Sequence, residues 1–440
     1  MRRLFACLMP LLCVTQAAAQ TAPPTPVQPT QAALFLEARA RELVDILRGS
    51  GDYATFFTIA FQTEVPKGRF APVNVQLTAA YGAPVALDRV LPQSPFAGTV
   101  RIRYEKATVA FQMAVDPADP HQVSGLRVLG PIAAESSIGE VTRALQGLHG
   151  TTAYAFAKVG ADTLELIAQH NADKPLAVGS AFKLVILAEL VRATNAGQKT
   201  WDDLITLDGR LLPAGGYNTK PRGTKVTVRE LATKMISVSD NSATDILLAS
   251  LGRNTVEAML PVLGVSADPR NIPFLSTLEA FKLKWLQGGR LADRYNALDD
   301  TKQRALLAGD VLTADITPIM SMTAPPPTPS RIDSIEWFYS PLDLVRVMDW
   351  LRRNTEGVRG ADARAILSRN AGLSIDRTQY AFVGFKGGSE PGVINLTLLL
   401  QGTNREWYVA TASWNDPTRS IDEFRFVELV TALVKFAGAP

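Results

Sequence analysis

The chain is poor in the residues that build most cofactor and thiol sites. Of 440 residues, two are cysteine and three are histidine. Both cysteines, Cys7 and Cys13, fall in an N-terminal segment with the pattern of a cleaved leader: Met1-Arg2-Arg3, an apolar run from Leu4 to Val14, then Ala17-Ala18-Ala19 before Gln20. Leu12 is too large to precede a lipoprotein cysteine, so the expectation is a Sec-type signal peptide over residues 1–19 and an exported, periplasmic protein. A mature chain would then lack disulfides, a thiol nucleophile and cysteine-based metal sites. His121, His149 and His170 are scattered, which argues against a Ser-His-Asp triad and against zinc hydrolysis. No apolar run is long enough to span a bilayer. Charge of one sign is also missing. The formal net charge of +3 includes Arg2 and Arg3, so nothing points to nucleic acid or an acidic partner.

What is present is ample apolar material, 47% of residues, in a chain long enough for two domains or three. Residues 20–30 are proline-rich and read as a tether. A helix is expected from about Ala32 to Arg48, where Leu36, Ala40, Leu43, Val44 and Leu47 form one stripe ended by Gly49 and Gly51. Irregular chain follows. Val100, Ile102 and Tyr104, then Val109, Phe111, Met113 and Val115, alternate with polar or small residues as strands do, and Asp116 to Pro120 turns into Leu126-Arg127-Val128. Residues 31–130 therefore read as a small α+β domain, a helix with a curved antiparallel sheet. That pattern resembles the steroid-isomerase-like (NTF2-like) fold.

Residues 131–440 read as a second α+β domain with strands at both sequence ends and a helical block between. A helix is expected near Ile138 to Leu148, with strands at Thr152 to Val159 and Leu164 to His170. Strands return at Tyr380 to Phe385, Val393 to Gln401 and Trp407 to Ser413, all in one antiparallel sheet. The segment Met322 to Ser330 reads as a rigid proline loop. A last helix, Ile421 to Phe436, is expected to open with a capping box from Ser420 to Glu423.

The chemistry is carried by Ser180-Ala181-Phe182-Lys183 at the head of a helix apolar on every side. Residues three apart share a helix face, so the Lys183 amine can lie over the Ser180 hydroxyl. Burial lowers a lysine toward the range of a usable base, and a serine beside such an amine is an activated nucleophile. Two further stretches can converge on it. Ser239-Asp240-Asn241 interrupts a helical region, and Lys386-Gly387-Gly388-Ser389 lies at the end of a strand, where glycines permit close approach to the backbone.

Taken in order, these three motifs resemble the class A β-lactamase and penicillin-binding-protein group of serine hydrolases over about residues 135–440. The resemblance implies Ser180 as nucleophile, Lys183 as its base, and Ser239 as proton donor to the leaving group, tuned by Lys386. It implies substrate binding by Asn241, Gly387, Gly388 and Ser389, and an oxyanion hole from the N–H groups of Ser180 and Ser389. It implies a small β-lactam or ester substrate, no cofactor and no metal. Two departures stand out. The deacylating glutamate of class A enzymes has only Glu279 as a counterpart, in a loop that does not match. Gly387 stands where a hydroxyl residue is usual. An esterase, a D-Ala-D-Ala-type peptidase, or a weakly catalytic binding or sensing protein remain alternatives for the same site.

Overall fold

A computed structural model describes residues 29–132, 137–320, 328–373 and 375–438. The leader, the tether before Pro29 and most of the proline loop lie outside the described residues. The chain divides into two compact units between Val128 and Leu129.

In the first unit, helix α1 (Pro29–Arg48) starts three residues earlier than expected, on a proline that a first helical position tolerates. Its stripe of Leu36, Ala40, Leu43, Val44 and Leu47 is buried. The stretch expected to be irregular instead holds two short helical turns, helix α2 (Lys67–Tyr81) and strand β1 (Pro84–Ser94). Neither carries the usual pattern. Helix α2 contains Gly68 and Pro72 and buries only Leu77 and Tyr81. Strand β1 is a mostly exposed edge with prolines at positions 84 and 92. It pairs with β2 (Ala97–Tyr104), then β3 (Thr108–Val115) and β4 (Val123–Pro131), in the order β1-β2-β3-β4. The alternating Val100, Ile102, Val109, Phe111, Met113 and Val115 face inward, as their period of two requires.

The second unit is built on a five-stranded antiparallel sheet. Its strands β5 (Thr151–Val159) and β6 (Leu164–His170) come from the start of the unit. Strands β9 (Tyr380–Glu390), β10 (Val393–Gly402) and β11 (Trp407–Asn415) come from its end. The order is β9-β10-β11-β5-β6, which joins the two sequence ends as expected. Side-chain parity separates two cores. Tyr154, Phe156, Leu398, Leu400 and Ala410 face α3 (Ile138–Gln146) and α10 (Glu423–Ala437). Ala155, Ala157, Leu399 and Val409 face the helical block. Helix α10 begins two residues later than expected. Asp422, not Ser420, caps it, its carboxylate accepting from the Arg425 N–H, so the expected capping box is not formed.

The helical block includes α4 (Lys183–Asn195), α5 (Val228–Ser237), α6 (Asn241–Leu251) and α7 (Thr277–Trp285). The short β7 (Leu176–Ala177) pairs with β8 (Phe338–Tyr339), followed by α8 (Pro341–Asn354) and α9 (Ala361–Ser368). Leu184 to Ala188, Leu190 and Val191 of α4 are all buried, which matches a helix apolar on every side. Among the described residues no helix is long and apolar enough to cross a membrane.

Candidate active site

Ser180 sits in a tight 3-10 turn, Gly179–Phe182, that feeds from β7 into α4. The turn is held from both sides. Asn415 on β11 grips both polar groups of Ala177, accepting from its N–H at 2.8 Å and donating to its carbonyl at 3.0 Å. Phe182 stacks on Trp337, ring centroids 3.7 Å apart. Gly179 has φ +48°, a left-handed conformation that suits glycine. Its neighbour across the gap is Gly388, where an added Cβ would lie 2.2 Å from the Ser180 nitrogen. That glycine lets strand β9 lie directly against the Ser180 turn.

Lys183 opens α4 and is fully buried. Its Nζ donates to the Ser239 carbonyl at 2.7 Å, to Ser239 Oγ at 3.1 Å and to Asn241 Oδ1 at 2.7 Å. Ser239 reaches this position with φ +60°, a left-handed backbone that costs a serine roughly 1–2 kcal/mol. Asp240 secures the loop. It caps α6 through the Ala243 N–H at 2.8 Å, and it accepts from the Gly216 N–H and from Ser242 Oγ, each at 2.6 Å. Lys386 comes in from β9. Its Nζ donates to Ser239 Oγ at 3.1 Å and to the Gly387 carbonyl. The Lys-Gly-Gly-Ser run lies in the end of this strand, which reaches Glu390, with Lys386 opposite Thr397 on β10.

Two amines therefore converge on one hydroxyl. Burial lowers Lys183 to about 7, against the opposing pull of Asp245 and Asp240. Burial and then the charge of Lys183 hold Lys386 well below the usual lysine range. Three acceptors around Lys183 match the three donors of an ammonium. A neutral Lys386 can in turn accept the Ser239 proton while still donating to Gly387. The arrangement can supply a base and a proton relay, and Lys183 follows Ser180 by three residues.

Glu279 is placed differently. Its Oε1 accepts from Arg253 at 2.6 Å and its Oε2 from the Ser276 N–H at 2.8 Å, closing a capping box at the start of α7. Among the described residues, no hydrogen bond or ion pair joins it to Ser180, Lys183, Ser239 or Lys386. Gly387 is explained by space, since a Cβ there would lie 2.8 Å from the Phe385 ring and 3.0 Å from the Asn395 carbonyl. Ser389, two residues further along β9, is exposed. His149 pairs with Asp416 at 2.5 Å and stands over Trp414, apart from this cluster.

One acid escaped sequence reasoning. Asp245, buried on α6, accepts from the N–H groups of Thr277 at 2.8 Å and Leu278 at 2.9 Å, and burial pushes it up to about 6. The available signal is a carboxylate directly before the apolar run Ile246-Leu247-Leu248-Ala249.

Residues 139–297 match the model of the β-lactamase enzyme family. That stretch includes Ser180, Lys183, Ser239 and Asn241 and ends before Lys386. No curated protein matches the chain. Among solved structures, a β-lactamase from Sphaerobacter thermophilus is 18% identical at TM-score 0.47, covering 68% of this chain and 96% of its own. A β-lactamase from Chitinophaga pinensis is 13% identical at TM-score 0.45, covering 68% and 96%. A PBP-A variant in an acyl-enzyme complex with penicillin G is 15% identical at TM-score 0.45, covering 68% and 94%. Over residues 139–297, the chain is similar to the β-lactamase enzyme family.

Proposed function

We propose that the second unit is a metal-free serine hydrolase that opens β-lactam amides through an acyl-enzyme on Ser180. The observation that carries this reading is the convergence of the Lys183 and Lys386 amines on Ser239 Oγ, with Lys183 three residues after Ser180. In the first step the Ser180 proton passes to the neutral Lys183 amine as Oγ attacks the carbonyl carbon. The N–H groups of Ser180 and Ser389 would receive the oxyanion of the tetrahedral intermediate. The C–N bond then breaks. The leaving nitrogen takes its proton from Ser239, which is resupplied from the lysine pair. Asn241 holds Lys183 and faces the substrate amide, and the glycine-lined edge of β9 receives the acyl group. The match to the β-lactamase enzyme family over residues 139–297 supports this reading, as does the order of the three motifs. The class A assignment, a steroid-isomerase-like first unit and export through residues 1–19 belong to the same proposal.

One observation favours a second reading. Glu279 is committed to Arg253 and to its own helix start, so it is poorly placed to activate a deacylating water. An esterase or D-Ala-D-Ala-type peptidase, which β-lactams acylate and then leave only slowly, would use the same Ser180 site. Steady-state turnover of a chromogenic cephalosporin, compared with a small activated ester, separates the two. Sustained hydrolysis of the cephalosporin supports the lactamase reading. A single-turnover burst with sustained ester hydrolysis supports the second. Neither activity would contradict both.

A further inference from the structure

Three buried ionisable side chains take no part in the chemistry above. Lys284, near the end of α7, donates to Glu336 Oε1 at 2.5 Å and to Glu390 Oε1. The Lys284 and Glu336 side chains are 1% and 3% exposed, and that of Glu390 is 16%. They come from three separate stretches: α7, the segment just before β8, and the last residue of β9. Burying ions costs several kcal/mol each unless they pair, so such a cluster is a poor way merely to fill a core.

The other end of α7 is tied just as firmly. Its Thr277 and Leu278 N–H groups donate to Asp245 on α6, the helix that Asn241 opens. About 9 Å of helix separates Leu278 from Lys284. Helix α7 thus links the wall that carries Asn241 to the strand that carries Ser389, and that strand lies against the Ser180 turn at Gly388.

We propose that α7 is a brace that sets the spacing between the Asn241 helix and the end of β9, and that Lys284 is the positioning residue holding Ser389 in place through Glu390. Its effect on activity rests on the hydrolase reading; the brace itself does not. Two carboxylates share one ammonium. Burial and then Glu336 push Glu390 up to about 8, with Lys284 opposing. Below that value a proton on Glu390 leaves the cluster neutral. Above it the two carboxylates repel across a single cation and the end of β9 loosens.

The test is hydrogen–deuterium exchange of the full chain, corrected for intrinsic pH dependence, for wild type, Lys284→Met and Glu390→Gln, read beside the rate of Ser180 acylation by a penicillin. In Lys284→Met the amides of residues 386–390 exchange faster while those of β11 and β5 do not, and acylation slows by about 10- to 100-fold. In Glu390→Gln the cluster stays neutral, so protection at residues 386–390 persists above pH ~8, where wild type loses it. If Lys284→Met does not fold, the Glu390→Gln comparison decides alone. Exchange at residues 386–390 unchanged from wild type, loss of protection spread evenly over the unit, or an identical fall above pH ~8 in Glu390→Gln would each overturn the brace. A wild type that exchanges as described but is never acylated would uphold the brace and sink the hydrolase reading.

Discussion

Replacing Lys183 with methionine should abolish acylation and yet leave the protein more stable at neutral pH. The argument is one of proton linkage. A lysine in an unfolded chain titrates near ~10.4, whereas burial lowers Lys183 to about 7 in the fold. Between those values the unfolded chain binds one proton more than the folded chain. The unfolding free energy therefore rises with pH across that window, by roughly 1.4 kcal/mol per unit. At and below pH ~7 the burial penalty is present in full, roughly 5 kcal/mol, and by pH ~10.5 it has gone. Methionine has a similar length and no charge, so it removes the penalty. It also strands two acceptors, the Ser239 carbonyl and Asn241 Oδ1, at about 1 kcal/mol each, while Ser239 Oγ keeps Lys386. The variant should then be more stable than wild type by roughly 3 kcal/mol at pH ~7 and less stable by roughly 2 kcal/mol at pH ~10.5, with the order reversing between. Urea unfolding of both proteins at several pH values measures this directly. Parallel stability curves, with no crossing, would refute the linkage.

Three further outcomes follow from the same geometry. Gly388→Ala puts a methyl group 2.2 Å from the Ser180 nitrogen, so β9 must move off the nucleophile turn; acylation should fall at least about 100-fold with far-UV circular dichroism unchanged. Leu187→Ala opens a cavity at a fully buried position of α4, and should lower the unfolding free energy by about 2–5 kcal/mol in urea titration. The rate of Ser180 acylation should rise with pH through about 7, as Lys183 loses its proton, and fall again above about 8, as the end of β9 loosens. A rate independent of pH from 5 to 9 would remove Lys183 from the role of base.

Much of the second unit was legible because its signals are local. The apolar run after Lys183, the alternating strands and the glycines after Lys386 each state their own environment within about ten residues. The same is true of α1 and of β2 and β3 in the first unit. Helix α2 escaped because Gly68 and Pro72 contradict it and no apolar stripe supports it, and β1 because an exposed edge needs no alternation. At the start of α10, Ser420 and Asp422 both suit a cap, and only the register of the folded helix selects Asp422. Glu279 was singled out as an acid in a loop, whereas the fold spends it on the cap of α7 and on Arg253. The Lys284 cluster had no local signal at all, since its partners lie 52 and 106 residues away.

The central claim is that Ser180, activated by the Lys183–Ser239–Lys386 cluster, takes an acyl group. Intact-mass spectrometry of the protein mixed with a penicillin or a cephalosporin, followed over time beside Ser180→Ala, tests it most directly. The account predicts a mass increase equal to one β-lactam in the wild type and none in Ser180→Ala. No adduct in the wild type, or the same adduct in Ser180→Ala, would contradict it.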